Sequence, residues 1–257
     1  MTLPLARRRI WVTRPAGQAD ALCAALAAQG AEPVRLPLLQ IAPAADAAPL
    51  QAALDALAGF DLAVFVSPSA LDAVAAARTA PWPAGVPAAV VGPGSAARAR
   101  ALGIAPVIAP PAHFDSAGLL AELDTHGSWA GRRAVLFRGD GGRPDLPDGL
   151  RARGLDLTVV AAYRRLPATL TIQALDDALA AGCDAVIISS SEAAQHLFAL
   201  AGEATREQLQ SLVYFAPHPR IIAALAEHDV DARLSRAGDA GIVDSLCCHF
   251  ARPTSSP

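Results

Sequence analysis

An α/β protein with parallel sheets is the fold class this sequence predicts, and three observations predict it. Short β-branched apolar runs alternate with alanine-rich stretches of helical period along the chain, the pattern of strands joined by crossover helices. Glycines follow several helical stretches, at Gly30, Gly103, Gly154 and Gly182, where a left-handed cap ends a helix. The second half also repeats the first, and 257 residues suit two units of about 120 to 130 residues each.

Taken in order, the apolar runs predict strands at 9–13, 33–36, 61–66, 88–91, 106–108, 133–137, 156–160, 184–188, 212–215 and 232–234. The intervening stretches predict helices near 17–29, 49–58, 69–77, 94–102, 115–124, 143–153, 173–181, 191–201, 218–227 and 239–250. Two segments break the rhythm, LPLLQIAPAAD (36–46) and VVAAYRRLPAT (159–169). Each is a strand-like run closed by a proline, and neither is rich in glycine and serine, so both read as ordered interdomain connections. Two crossings imply one discontinuous domain, although two consecutive domains also fit.

The repeat is legible in three places. RRIWVTRPAG (8–17) matches RRAVLFRGDG (132–141), with Arg14 and Arg138 lying 124 residues apart. FDLAVFVSPSA (60–70) matches CDAVIISSSEA (183–193), and VVGPGSAARARALG (90–103) matches YFAPHPRIIAALAE (214–227), which pairs Pro93 with Pro217.

Composition excludes several chemistries. Hydrophobic residues make up 53% and charged ones 18%, so a large core can form and disorder is not expected. All 21 basic residues are arginine, which removes Schiff-base, pyridoxal phosphate and P-loop chemistry, each dependent on a lysine. A net charge of −3 with dispersed arginines does not indicate nucleic-acid binding. The four cysteines and six histidines lack metal-ligand spacing, so no metal is expected. No apolar stretch is long enough to span a membrane, and the arginines at 7–9 follow too short an apolar stretch for a signal peptide, so a cytoplasmic location is expected.

The segments most alike between the halves follow strands, where open parallel sheets bind ligands and helix N-termini present unpaired N–H groups. Arg14 and Arg138 stand there with Ser67, Ser69, Ser189, Ser190, Ser191, Gly94, Ser95, Gly139 and His218. Small hydroxyl and glycine residues with arginines suit carboxylates or phosphates. The serines read equally as helix N-caps, and Gly139 with Gly141 and Gly142 as a tight turn. Tyr163 lies in the second connection, where a phenol can face a cleft or be half-buried; Tyr214 reads as core.

These motifs together resemble the uroporphyrinogen-III synthase family: WVTRPAGQADALCAAL, VFVSPSAL, AVVGPGSAARARALG, LFRGDGGR with LRARGLDLTVVAAYRR, and AVIISSSEAAQHLF occur in the family's order over nearly the whole chain. The resemblance implies two flavodoxin-like domains joined by a two-stranded connector. Residues 1–37 with 168–257 would form the discontinuous first domain, 44–160 the second, and 38–43 and 161–167 the connectors. It further implies a cofactor-free, monomeric lyase that cyclises hydroxymethylbilane to uroporphyrinogen III in an interdomain cleft, inverting ring D and losing water. By carry-over Tyr163 assists departure of the hydroxyl. The other residues named above would bind substrate, with His218 donating where the second turn lacks its hydroxyl. Transient contact with hydroxymethylbilane synthase is compatible with that assignment. A non-catalytic two-lobed protein that binds an anion or a tetrapyrrole is the competing expectation.

Overall fold

The computed structural model describes residues 3–251. Residues 1–2 and 252–257, the outer ends of the expected first domain, lie outside the described residues. In chain order the elements are β1 (Arg9–Val12), α1 (Asp20–Ala28), β2 (Glu32–Arg35), β3 (Leu39–Pro43), α2 (Ala48–Asp55), β4 (Leu62–Phe65), α3 (Pro68–Ala77) and β5 (Ala88–Val90). They continue with α4 (Pro93–Ala101), β6 (Val107–Ile108), α5 (Ser116–Thr125), β7 (Arg133–Gly139), α6 (Asp145–Ala152), β8 (Asp156–Pro167), α7 (Ile172–Ala180) and β9 (Ala185–Ile187). The last are α8 (Ser191–Leu200), α9 (Glu203–Gln210), β10 (Tyr214–Ala216), α10 (Pro219–Ala226), β11 (Ala232–Leu234) and α11 (Gly238–Phe250).

The chain divides into two compact units, Met1–Gln40 with Leu166–Pro257, and Ile41–Arg165. The first carries a five-stranded sheet in the order β11-β10-β9-β1-β2, with every pairing parallel. Numbered within the unit this is 2-1-3-4-5, the order of a doubly wound sheet. Alternate residues of its strands feed opposite faces. Trp11 enters one apolar cluster with Val186, Leu197 and Phe198, while Ile10 and Val12 enter another with Leu22, Leu26 and Leu246. Burial on both faces is why the central strands β1, β9 and β10 read as continuous apolar runs.

The second unit is built on the six-stranded sheet, ordered β3-β8-β7-β4-β5-β6, whose strands β3 and β8 each run two residues past its bounds. The pairings of β8, β7, β4, β5 and β6 are parallel. Phe65, Phe137 and Val135 pack on one face and Leu62, Val64 and Leu136 on the other. Phe65 and Phe137 stack with ring centroids 5.2 Å apart.

Three details differ from the sequence reading. β8 is one continuous twelve-residue strand, so the expected strand at 156–160 and connection at 161–167 are a single element. Parallel pairing with β7 carries the strand past residue 160: the register runs from Arg133↔Asp156 to Gly139↔Tyr163. Helix α9 went unread because EATREQLQ buries only Leu209, too little for an apolar period. The third repeat match is also offset by two residues. Pro93 and Pro219, not Pro217, hold the first helical position of α4 and α10, so His218 takes the N-cap place that Gly92 holds in α4. Gly30, Gly103, Gly154 and Gly182 all have positive φ, between +71° and +91°, as left-handed helix ends require.

Candidate functional site

A doubly wound sheet has a switch point where successive connections leave in opposite directions, and ligands bind beyond the carboxyl ends of the strands there. In the second unit it lies between β4 and β7. Chain leaving β4 reaches Ser67, the N-cap of α3, whose Oγ accepts from Ala70 N–H at 3.3 Å. The same Oγ lies 3.0 Å from Tyr163 Oη. Tyr163 arrives from β8 opposite Gly139, where the β7–β8 register shifts by a bulge between Arg138 and Gly139.

Its ring lies directly on Gly139: a Cβ there would stand 3.0 Å from Cζ, 3.1 Å from Cε2 and 3.2 Å from Oη. The bulge carries the strand end past the ladder, and Asp140 fastens it by donating N–H to Tyr163 O at 2.9 Å. Asp140 Oδ1 in turn accepts from Arg165 N–H at 3.3 Å. Tyr163 is only 3% exposed and packs in the apolar cluster with Phe65 and Phe137.

The neighbouring groups differ in what they present. Arg138 donates to the carbonyl oxygens of Gly141 and Arg143, wrapping its guanidinium into the loop after β7; a side chain at Gly142 would collide with it. Arg143 pairs with Asp145. α4 begins at Gly92 with no side-chain cap, and Gly94 is exposed with open space around it. The first turn of α4 therefore offers backbone N–H groups to an anion. Ser69 and Ser95 are each 5% exposed and present little hydroxyl surface.

In the first unit the switch point lies between β1 and β9. Thr13 Oγ1 donates to Ile187 O at 2.7 Å and ties the two strand ends together. Arg14 follows: its Nε donates to Ser189 Oγ at 3.3 Å, and it forms a 2.7 Å ion pair with Asp239 at the start of α11. Ser190 caps α8 by accepting from Ala193 N–H at 3.1 Å, and Ser191 donates to Arg220 O at 3.3 Å. His218 caps α10 through Nδ1, which accepts from Arg220 N–H at 3.1 Å. With Nδ1 an acceptor, a neutral ring carries its proton on Nε2.

The capping reading of Ser67 and Ser190 therefore holds in the structure. Sequence reasoning missed Asp239 as the partner of Arg14 and Asp140 as the clasp beside Tyr163. Nothing in residue spacing brings Asp239 to Arg14, 225 residues away.

Two buried groups lie apart from these strand ends. Tyr214 is fully buried in β10, donates to Leu209 O at 3.0 Å, and burial pushes its phenol upward. Burial likewise pushes the Cys183 thiol up to about 12. Among the described residues no three His, Cys, Asp or Glu side chains are grouped to hold a metal, and no helix is long and apolar enough to cross a membrane.

The class defined so far is a protein of two doubly wound α/β units whose strand ends gather amides, hydroxyls and guanidinium groups suited to an anionic small molecule. A family model described as uroporphyrinogen-III synthase HemD matches residues 20–237, and the chain belongs to that family. The chain is 34% identical over 185 residues, 69% of its own length and 67% of the relative's, to the uroporphyrinogen-III synthase of Synechococcus elongatus. A mutant uroporphyrinogen III synthase from the extremely thermophilic bacterium Thermus thermophilus superposes with a TM-score of 0.55 at 18% identity, covering 96% of this chain and 98% of that one. The uroporphyrinogen-III synthetase of Helicobacter pylori gives 0.52 at 13%, covering 95% and 98%. The two structures establish likeness of fold; membership rests on the family match and the sequence relative. It carries a cyclising lyase activity on a small molecule.

Proposed function

We propose that this chain is a uroporphyrinogen-III synthase that converts hydroxymethylbilane to uroporphyrinogen III, with inversion of ring D and loss of water. The observation that carries the reading is the Tyr163 hydroxyl held 3.0 Å from Ser67 Oγ at the switch point of the second unit. There a phenolic proton donor stands at the place where such sheets bind ligands. In the first step the bond between the terminal carbon and its hydroxyl breaks. The electron pair leaves with oxygen, and Tyr163 gives that oxygen its phenolic proton so that water departs. The pyrrole nitrogen lone pair supplies electrons to the carbon, giving an azafulvenium cation beside the phenolate.

Attack through the substituted carbon of ring D, then rearrangement and closure, follow from how the chain is folded. The proton released as the ring system regains its pyrroles returns to the phenolate. Holding that folded geometry is the enzyme's larger contribution. Substrate carboxylates suit the uncapped α4 amides around Gly94 and Ser95, the Arg14 and Arg138 guanidinium groups, His218 Nε2 and the Ser189–Ser191 turn.

The test is an isomer assay. Hydroxymethylbilane is generated in place, the protein is added, and the oxidised products are separated. Type III uroporphyrin that depends on this protein, formed about 10- to 100-fold more slowly with Tyr163→Phe, supports the reading. Type I alone with wild-type protein overturns it in favour of a non-catalytic tetrapyrrole binder.

A further inference from the structure

We infer that Ser67 is a positioning residue that acts through Tyr163, and not a group that binds substrate. This rests on the reading of Tyr163 as proton donor and specifies how the donor is aimed. A serine hydroxyl has one proton to give and two lone pairs. Among the described residues, the side-chain hydrogen bonds of Ser67 are the 3.3 Å bond from Ala70 N–H and the 3.0 Å contact with Tyr163 Oη. Ala70 N–H can only donate, so a lone pair of Oγ is committed to the first turn of α3. The 3.0 Å contact admits either direction, and we take the serine proton as donated to the phenol oxygen.

Donation from Ser67 to Tyr163 leaves the phenolic hydrogen unshared and directed to a ligand. The result is a one-way chain from the α3 amide through Ser67 and Tyr163 to the departing oxygen. It draws on the positive end of α3, where developing negative charge on a nearby oxygen is stabilised. Once the phenol has given its proton away, the Ser67 hydrogen bond remains on the phenolate.

The first unit supplies an internal contrast. Ser190 caps α8 with a 3.1 Å bond from Ala193 N–H, the same local geometry. Yet among the described residues the side-chain hydrogen bonds of Ser190 include no tyrosine. Capping therefore accounts for a serine at both positions, and only at Ser67 is the hydroxyl also spent on a phenol. Gly139 completes the arrangement. Its bare backbone lets the ring lie within about 3 Å of where a Cβ would stand, so the ring has a floor, and Ser67 Oγ is the hydrogen-bond partner of its hydroxyl among the described residues.

The inference is tested by steady-state kinetics on Ser67→Ala, Ser67→Gly, Ser67→Thr, Tyr163→Phe and the Ser67→Ala/Tyr163→Phe double variant. Type III product is read and folding is verified by melting. Ser67→Ala and Ser67→Gly should lower kcat about 10-fold with KM changed less than about 2-fold. Glycine tolerates an N-cap position nearly as well as serine, so agreement of the two variants separates the hydroxyl from the cap. Ser67→Thr should restore most of the rate. In the Tyr163→Phe background the second substitution should cost nothing further.

A raised KM with unchanged kcat would make Ser67 a substrate contact and overturn the inference. Losses that multiply in the double variant would overturn it too, leaving Tyr163 as the donor. A wild-type rate in Tyr163→Phe would defeat the reading of Tyr163 itself, and the inference with it.

Discussion

Gly139→Ala is the most direct probe of how Tyr163 is held. Gly139 is not among the residues with positive φ, so alanine meets no backbone penalty there. Everything it costs comes from the ring. The new methyl would lie 3.0 to 3.2 Å from Cζ, Cε2 and Oη, whereas carbon atoms rest about 3.5 to 4.0 Å apart. The phenol must therefore retreat by about 0.5 Å. It retreats into a buried cluster that contains Phe65 and Phe137, where overpacking costs about 1 to 3 kcal/mol. At about 4 °C per kcal/mol for a unit of this size, calorimetry should show Tm lowered by about 4 to 12 °C.

The same retreat stretches the 3.0 Å contact between Tyr163 and Ser67 to the edge of hydrogen-bond range. Type III formation should slow about tenfold, in keeping with the cost of sub-ångström misplacement. A Tyr163→Leu background, which removes the ring, should absorb most of the thermal penalty. Wild-type Tm and rate in Gly139→Ala would refute the reasoning, because they would mean that the ring does not rest on this glycine.

Other expectations follow from the two units. Asp239→Asn removes the charge that occupies Arg14; a part-exposed pair is worth up to about 1 kcal/mol, so KM should fall by about 2- to 5-fold, and an unchanged or higher KM would mean that Arg14 does not serve substrate. Tyr214→Phe strips Leu209 O of its donor and should cost about 1 to 2 kcal/mol. Because burial raises the Tyr214 phenol, its contribution is present below the ordinary tyrosine value of about 10 and is lost as pH rises beyond it. Urea midpoints between pH 8 and 11 should therefore fall more steeply for wild type than for Tyr214→Phe, and parallel curves would contradict the assignment. Cys183 is held near 12 by burial while Cys248 is exposed, so iodoacetamide at pH 8 should label Cys248 at least about tenfold faster; peptide mapping that finds equal labelling would refute this.

The alternation of apolar runs and helical stretches determined that this is an α/β protein, because strands buried on both faces must be apolar throughout. Ile10, Trp11 and Val12 show this, with neighbours on two sides of one sheet. Helix ends were equally legible. Gly30 and Gly154 follow helices because the chain there needs positive φ, and Ser67 and Ser190 precede helices because an orphaned amide needs an acceptor. These are local requirements, met within a few residues, so composition and spacing reveal them.

Tertiary structure alone decided strand order, and with it where the switch points fall. It placed Arg14 against Asp239, and it joined the end of an apparent strand to an apparent connector as the single strand β8. It also separated serines that look alike in sequence. Ser67 meets a tyrosine 96 residues away, whereas Ser190 caps a helix in the same local geometry without one. Contacts between residues so far apart depend on which strands pair and in what register, and no local pattern encodes that.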